Sequence, residues 1–195
     1  MKSRLTVIGA ALLLLGLLCQ SALAGPPTDY VKGILDEVLR IQNDPAQEKT
    51  RAQSIRRIIQ KNFDFPAMAQ ESLGATYGRL SSSQRQEFEK IFSALFHDSY
   101  TRLVINFLKK ETVKYGQEKV EGDRARVNTT LVRTNETIPV EYLMKNTPNS
   151  FILYDVIVDG VSILDNYKRQ FAQVISTKSF EFLMDKMRTQ YRSLQ

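Results

Sequence analysis

The amino-acid sequence predicts an α+β domain with helices packed on one face of a curved antiparallel sheet. Three observations carry this. Apolar residues recur at helical spacing as far as about residue 110, alternate with polar ones between 112 and 159, and return to helical spacing after Gly160.

The first 24 residues stand apart from that pattern. A basic start (Lys2, Arg4), an apolar run from Leu5 to Leu18 and the small-x-small order Ala22-Leu23-Ala24 before Gly25 make a secretory signal peptide, with cleavage expected after Ala24. The apolar run holds 14 residues, short of the ~20 that cross a bilayer, which argues against an uncleaved anchor. Leu18 before Cys19 argues against lipid attachment there.

The whole chain has 195 residues, 43% hydrophobic and 25% charged, with 27 Lys+Arg against 21 Asp+Glu. This suits one globular domain, here residues 25–195. Without the signal, 171 residues remain at net +4, and the chain's one cysteine is gone. A disulfide, a thiolate nucleophile and a Cys-ligated metal are thereby excluded from the exported domain. Export to the periplasm argues against a nucleic-acid role, and the mild positive charge fits an anionic lipid surface or an acidic partner.

Val31, Ile34, Leu35, Val38 and Ile41 predict a helix over residues 27 to about 43. A second is expected over 45–62, with Pro45 in its first turn and Ala52, Ile55, Ile59 and Phe63 as its buried stripe. Asp64 can cap a third through Leu73, stopped by Gly74, with 74–78 read as a loop. Ser81-x-x-Gln84 and Ser83-x-x-Gln86 each offer a capping box for a long helix reaching about Lys110. Its apolar residues, from Phe88 to Phe107, cover roughly 220° of the helix circumference, against the ~100° of one-sided packing. Such a helix is covered on two sides or lines a cavity.

Strands are expected over 112–120, 124–134, 137–145 and 151–159. Short connections make them a meander. Ala125, Val127, Thr129 and Leu131 share one face of the second; Ile138, Val140, Tyr142 and Met144 share one face of the third. Both faces of the fourth are largely apolar, so it should be the best covered. Two helices close the chain, with stripes of Tyr167, Phe171, Val174 and Ile175, then Phe180, Leu183, Met184, Met187, Tyr191 and Leu194.

Motifs for phosphate loops, dinucleotide binding, zinc proteases and nucleophile elbows are missing. The sole histidine, His97, falls opposite Phe88 on the long helix and is expected to be solvated. Asp155 interrupts an apolar strand. It is read as structurally paired with Arg169, Lys168 or the Tyr167 hydroxyl, the alternative being proton transfer in a pocket.

Phe63-Asp64-Phe65-Pro66-x-Met68-Ala69 with Leu73-Gly74, and then Gln84-Arg85-x-x-Phe88-x-x-x-Phe92-x-x-Leu95-x-x-x-x-Tyr100, resemble the MlaC family, also called toluene-tolerance auxiliary proteins. Tyr154-Asp155-Val156-x-Val158-x-Gly160-Val161-Ser162-Ile163, followed by Asn166-Tyr167-x-x-Gln170-Phe171, is similar to that family's C-terminal signature. Two positions where the family is expected to carry Trp hold Phe151 and Tyr77, a departure that points to a divergent branch such as the hopanoid-associated one.

The resemblance implies a four-stranded NTF2-like, MlaC-like fold with an apolar cavity between sheet and helices. It also implies a non-enzymatic periplasmic carrier of phospholipid, without cofactor or metal. Its implied partners are an outer-membrane lipoprotein complex and an inner-membrane ABC transporter with its MCE-domain subunit. An exported pocket enzyme using Asp155, and a carrier of hopanoid or another hydrophobic ligand, are the alternatives. Acyl chains are expected between the long helix and the sheet, against Phe92, Leu95, Phe96, Leu103, Val104, Val140, Tyr142, Phe151 and Leu153. Asp155, Gly160, Ser162, Asn166, Tyr167, Arg169 and Phe171 form a structural signature. In it Gly160, Val161 and Ser162 turn the chain into a helix beginning near Asp165, and Asn166, Tyr167 and Arg169 tie it to Asp155.

Overall fold

In a computed structural model, residues 27–195 are described; the predicted signal peptide lies outside them. Several helical segments start where a short polar side chain takes up an orphan amide. α1 is Pro27–Asn43. Asp44 accepts from the Ala46 amide and starts a 3-10 turn at Pro45–Gln47, separate from α2, Arg51–Asn62. The expected single helix over 45–62 is thus broken, and Ala52 is exposed. Asp64 accepts from the Ala67 amide at the start of α3, Phe65–Leu73. Residues expected to be a loop form a short helix, α4, Ala75–Arg79. Ser81 and Gln84 make the reciprocal capping box of α5, Ser82–Phe107.

The sheet runs β1 (Thr112–Glu121), β2 (Arg124–Val132), β3 (Thr137–Thr147), β4 (Ser150–Val158) and β5 (Val161–Ser162), each antiparallel to the next. The fifth strand is only two residues long. The predicted inward residues of β2 and β3 are all buried, and β4 has no exposed position. Asp159 and Gly160, both at positive φ, make the two-residue turn from β4 to β5, the geometry that favours Asp-Gly in hairpins. Ser162 caps α6, Ile163–Thr177, which therefore starts two residues before Asp165. Ser179 caps α7, Phe180–Arg192.

One irregularity positions the site. Leu143 pairs with Asp155 but Met144 pairs with Leu153, so Tyr154 is an extra residue in the register, a β-bulge. At the same place the Asp64 amide donates to the Leu153 carbonyl at 2.8 Å, fixing the α2–α3 junction to the sheet.

Within the helical layer, Phe88, Phe92, Phe96 and Tyr100 form an i, i+4 column along α5, with successive centroids 5.5 to 6.0 Å apart. Tyr167 and Phe171 of α6 meet this column on one side, and Phe63 and Phe65 meet it on another. The wide apolar band of α5 is therefore used on both flanks.

Candidate ligand-binding cavities

Two cavities flank α5. One, of about 510 Å³, lies among α5, α6 and α7 and is floored by Phe92, Phe96, Tyr167, Phe171, Leu183 and Met187. The other, of about 280 Å³, lies beneath the sheet, walled by α1, α2 and α5 and by Leu131, Ile138, Val140, Tyr142, Leu153, Val156 and Val158. Tyr100, Leu103 and Ile163 line both. These three side chains, on α5 and at the β5–α6 junction, stand between the two spaces.

The residues expected to line one space are divided between two. Leu103, Val104, Val140, Tyr142 and Leu153 line the sheet cavity, while Phe92, Leu95, Phe96 and again Leu103 line the helical one. Phe151 lines neither. It is half-buried against Tyr30, at a centroid distance of 5.8 Å. The bulge at Tyr154 shifts the alternation of β4, so that Leu153 and Val156, three apart, both reach the sheet cavity.

The same bulge removes Asp155 from the lining. Its carboxylate accepts from the Val156 amide at 2.8 Å, the Leu164 amide at 3.0 Å and the Ser162 hydroxyl at 2.5 Å. None of the three expected partners, Arg169, Lys168 or the Tyr167 hydroxyl, is bonded to it. Asn166 and Arg169 are exposed, and Tyr167 packs between Phe92, Phe96 and Phe171. The reason is proximity: the two-residue turn folds Ser162 and the start of α6 back over β4 before any long side chain of α6 can reach. Burial pushes the Asp155 carboxyl up from its usual range, opposed by the hydrogen bonds from Ser162, Leu164 and Val156.

His97 is buried, not solvated, at 8% exposure, and its ring sits edge-on to Phe65 at 4.1 Å. Helical phase placed it opposite Phe88, but α3 covers that side of α5. Desolvation, with a further contribution from Arg56, lowers its pKa to about 4.

The sheet cavity holds almost no available polarity. Its one amide, Asn62, accepts from the Tyr30 hydroxyl at 2.9 Å and donates to the Ile58 carbonyl at 2.7 Å. The helical cavity differs at its rim, where Ser99, Asn166, Gln170, Lys186 and Gln190 surround the apolar floor. Nothing in the sequence marks Lys186 or Gln190 as bordering a cavity. A polar pair at i, i+4 beside an apolar stripe is the available signal, and it is shared by most surface helices. Among the described residues no group of three or more His, Cys, Asp or Glu is placed to hold a metal ion, and no helix is long and apolar enough to cross a membrane.

A curved antiparallel sheet over a helical layer, with apolar space on both sides of a central helix, defines a class of α+β proteins with hollow interiors. Within that class this chain belongs to the MlaC family, whose model, described as MlaC protein, matches residues 32–189. It is similar to the intermembrane phospholipid transport system binding protein MlaC of Haemophilus influenzae, 23% identical over 154 residues that make up 76% of this chain and 70% of that protein. It is also similar to the toluene tolerance protein ttg2D of Pseudomonas putida, 23% identical over 159 residues, 78% of this chain and 74% of that one. The fold matches a phospholipid-binding protein from Ralstonia solanacearum, solved in complex with a phospholipid. That match has a TM-score of 0.71 at 24% identity, covering 86% of this chain and 99% of the other.

Proposed function

We propose that this protein is a periplasmic lipid carrier. Residues 1–24 direct export and are removed, and residues 25–195 act as one lipid-binding domain. It holds the acyl chains of a phospholipid in the two cavities and passes the lipid between an outer-membrane lipoprotein complex and an inner-membrane ABC transporter with its MCE-domain subunit. It does so without catalysis, because the one suggestive carboxylate, Asp155, is bound to Ser162, Leu164 and Val156 outside the cavity linings.

The observation that carries this reading is the pair of apolar cavities that share Tyr100, Leu103 and Ile163 in their linings. Each methylene kept from water is worth about 0.8 kcal/mol, so an acyl chain of about 16 carbons carries about 13 kcal/mol. Apolar walls such as Phe92, Leu153 and Val156 replace bilayer contacts with like contacts, and the chain can leave the membrane at little net cost. The relatives named for phospholipid transport and phospholipid binding support the same class of ligand.

Native mass spectrometry with lipid extraction, on protein purified from a bacterial periplasm, tests the proposal. Co-purifying phospholipid near one equivalent is expected. A folded protein that carries none, and takes none up from phospholipid vesicles, sinks it; a hopanoid in the extract instead moves the ligand to the polycyclic class.

A further inference from the structure

We infer that the rim of the helical cavity is a phosphate-headgroup site in which Lys186 of α7 pairs with the phosphodiester of the bound lipid, flanked by Gln190, Gln170 and Asn166. The inference rests on the carrier reading above and adds the orientation of the ligand and the residue that selects its headgroup.

Two helices contribute matching pairs. Asn166 and Gln170 are four residues apart on α6, Lys186 and Gln190 four apart on α7, and both pairs border the same opening. Beneath them lie Tyr167 and Phe171 on α6 and Leu183 and Met187 on α7. An apolar floor under a polar rim suits an amphiphile whose tails are buried and whose polar end stays at the mouth.

The charge of the rim selects the polar end. Lys186 is the one ionised side chain lining either cavity among the described residues, and no carboxylate shares the lining. Two acids adjoining the lining in sequence are engaged elsewhere: Asp185 accepts from Arg188 at 2.8 Å, and Asp98 pairs with Arg102. Lys186 itself has no ion pair among the described residues, and its ammonium rests over the Phe182 ring at 5.5 Å. The side-chain amides of Asn166, Gln170 and Gln190 likewise make no hydrogen bond within the described protein and are free to donate to phosphate or glycerol-ester oxygens. The sheet cavity offers no counterpart, because Asn62 is already bonded to Tyr30 and Ile58. A phosphodiester therefore has a partner at the helical rim only, and the tails run inward from it past Leu103 and Ile163 toward the sheet.

The test loads delipidated full-length mature protein from phosphatidylglycerol vesicles, and separately from detergent-dispersed diacylglycerol, and reads occupancy by native mass spectrometry. Lys186→Glu should lower phosphatidylglycerol occupancy at least five-fold, Lys186→Arg should preserve it, and all three proteins should take up diacylglycerol alike, since it has tails but no phosphate. Because Lys186 is exposed, equal thermal midpoints are expected and confirm that each variant is folded. Unchanged phosphatidylglycerol loading in Lys186→Glu overturns the inference, as does a parallel loss of diacylglycerol, which makes Lys186 part of the cavity wall. Wild-type protein that takes up neither ligand overturns the carrier reading itself. Inorganic phosphate distinguishes the source of the anion: if millimolar phosphate binds at Lys186 and Gln190 while phosphatidylglycerol loading is indifferent to Lys186, the site serves free phosphate and the headgroup assignment fails.

Discussion

The Ser162 hydroxyl donates to the Asp155 carboxylate at 2.5 Å while accepting from the Asp165 amide at 2.9 Å. One side chain thus joins β4 to the first turn of α6, and the buried carboxylate completes the joint through the Leu164 and Val156 amides. Asp155→Ala leaves those amides and the hydroxyl without their acceptor and should cost about 3 kcal/mol, since each buried unsatisfied group costs about 1–3 kcal/mol. Asp155→Asn keeps one carbonyl acceptor and should cost less. Urea unfolding of both variants measures this, with co-purified lipid unchanged in each. A loss below about 1 kcal/mol in the alanine variant would contradict the joint, and a loss of lipid at unchanged stability would give Asp155 a ligand role.

His97 makes stability depend on pH. Its pKa falls from 6.5 in the unfolded chain to about 4 in the folded one, so between those values the unfolded chain binds more protons and stability rises with pH. The full contribution is present above pH 6.5 and is lost as pH falls toward 4, by up to about 3 kcal/mol. Asp155 acts in the opposite sense, because its raised pKa makes the folded state the better proton binder. Comparing wild type with His97→Leu isolates the histidine. The wild-type stability should drop relative to the variant between pH 6.5 and 4.5, above the range where Glu87 and Glu111, both held low, titrate. Parallel pH profiles would rule the effect out.

Leu103 should control access to both cavities, because it lines each of them. Leu103→Trp puts a bulky ring into cavity space, not into packed core. It should reduce co-purified lipid several-fold with a change in stability within about 1 kcal/mol. Phe151→Ala supplies the contrast. It removes a half-buried contact with Tyr30, should cost about 1–2 kcal/mol, and should leave lipid content unaltered, since Phe151 borders neither cavity. Equal lipid loss in the two variants would contradict the cavity assignment.

Gly160 has a φ of +74° in the turn from β4 to β5. An added Cβ meets no atom within 4 Å, so Gly160→Ala isolates the backbone cost of that conformation, about 1 kcal/mol. Thermal unfolding reads it. No loss of stability would mean that the turn relaxes without disturbing the Ser162–Asp155 joint.

Local signals made the element order legible. Asp64, Ser81 with Gln84, and Gly74 act through bonds to residues three or four away, and the alternation from Ala125 to Leu131 and from Ile138 to Met144 records directly which side of a strand meets the core. The partner of Asp155 was not legible in the same way. It depends on a bulge at Tyr154 and a two-residue turn, both set by pairing with β3 and β5. The burial of His97 is hidden for a similar reason: helical phase gives a direction around α5, and the cover in that direction comes from Phe65 in another helix.

By itself the sequence determined the α+β class, the caps, the inward faces of β2 and β3 and an α5 too apolar for one-sided packing, because periodicity and capping are short-range. Tertiary structure alone decided that the space beside α5 is two cavities and not one, that Tyr100, Leu103 and Ile163 stand between them, and that Lys186 borders the opening. Those relations bring together α5, the β5–α6 junction and α7, across more than 80 residues of chain. Only the packing of whole elements fixes where their side chains leave space.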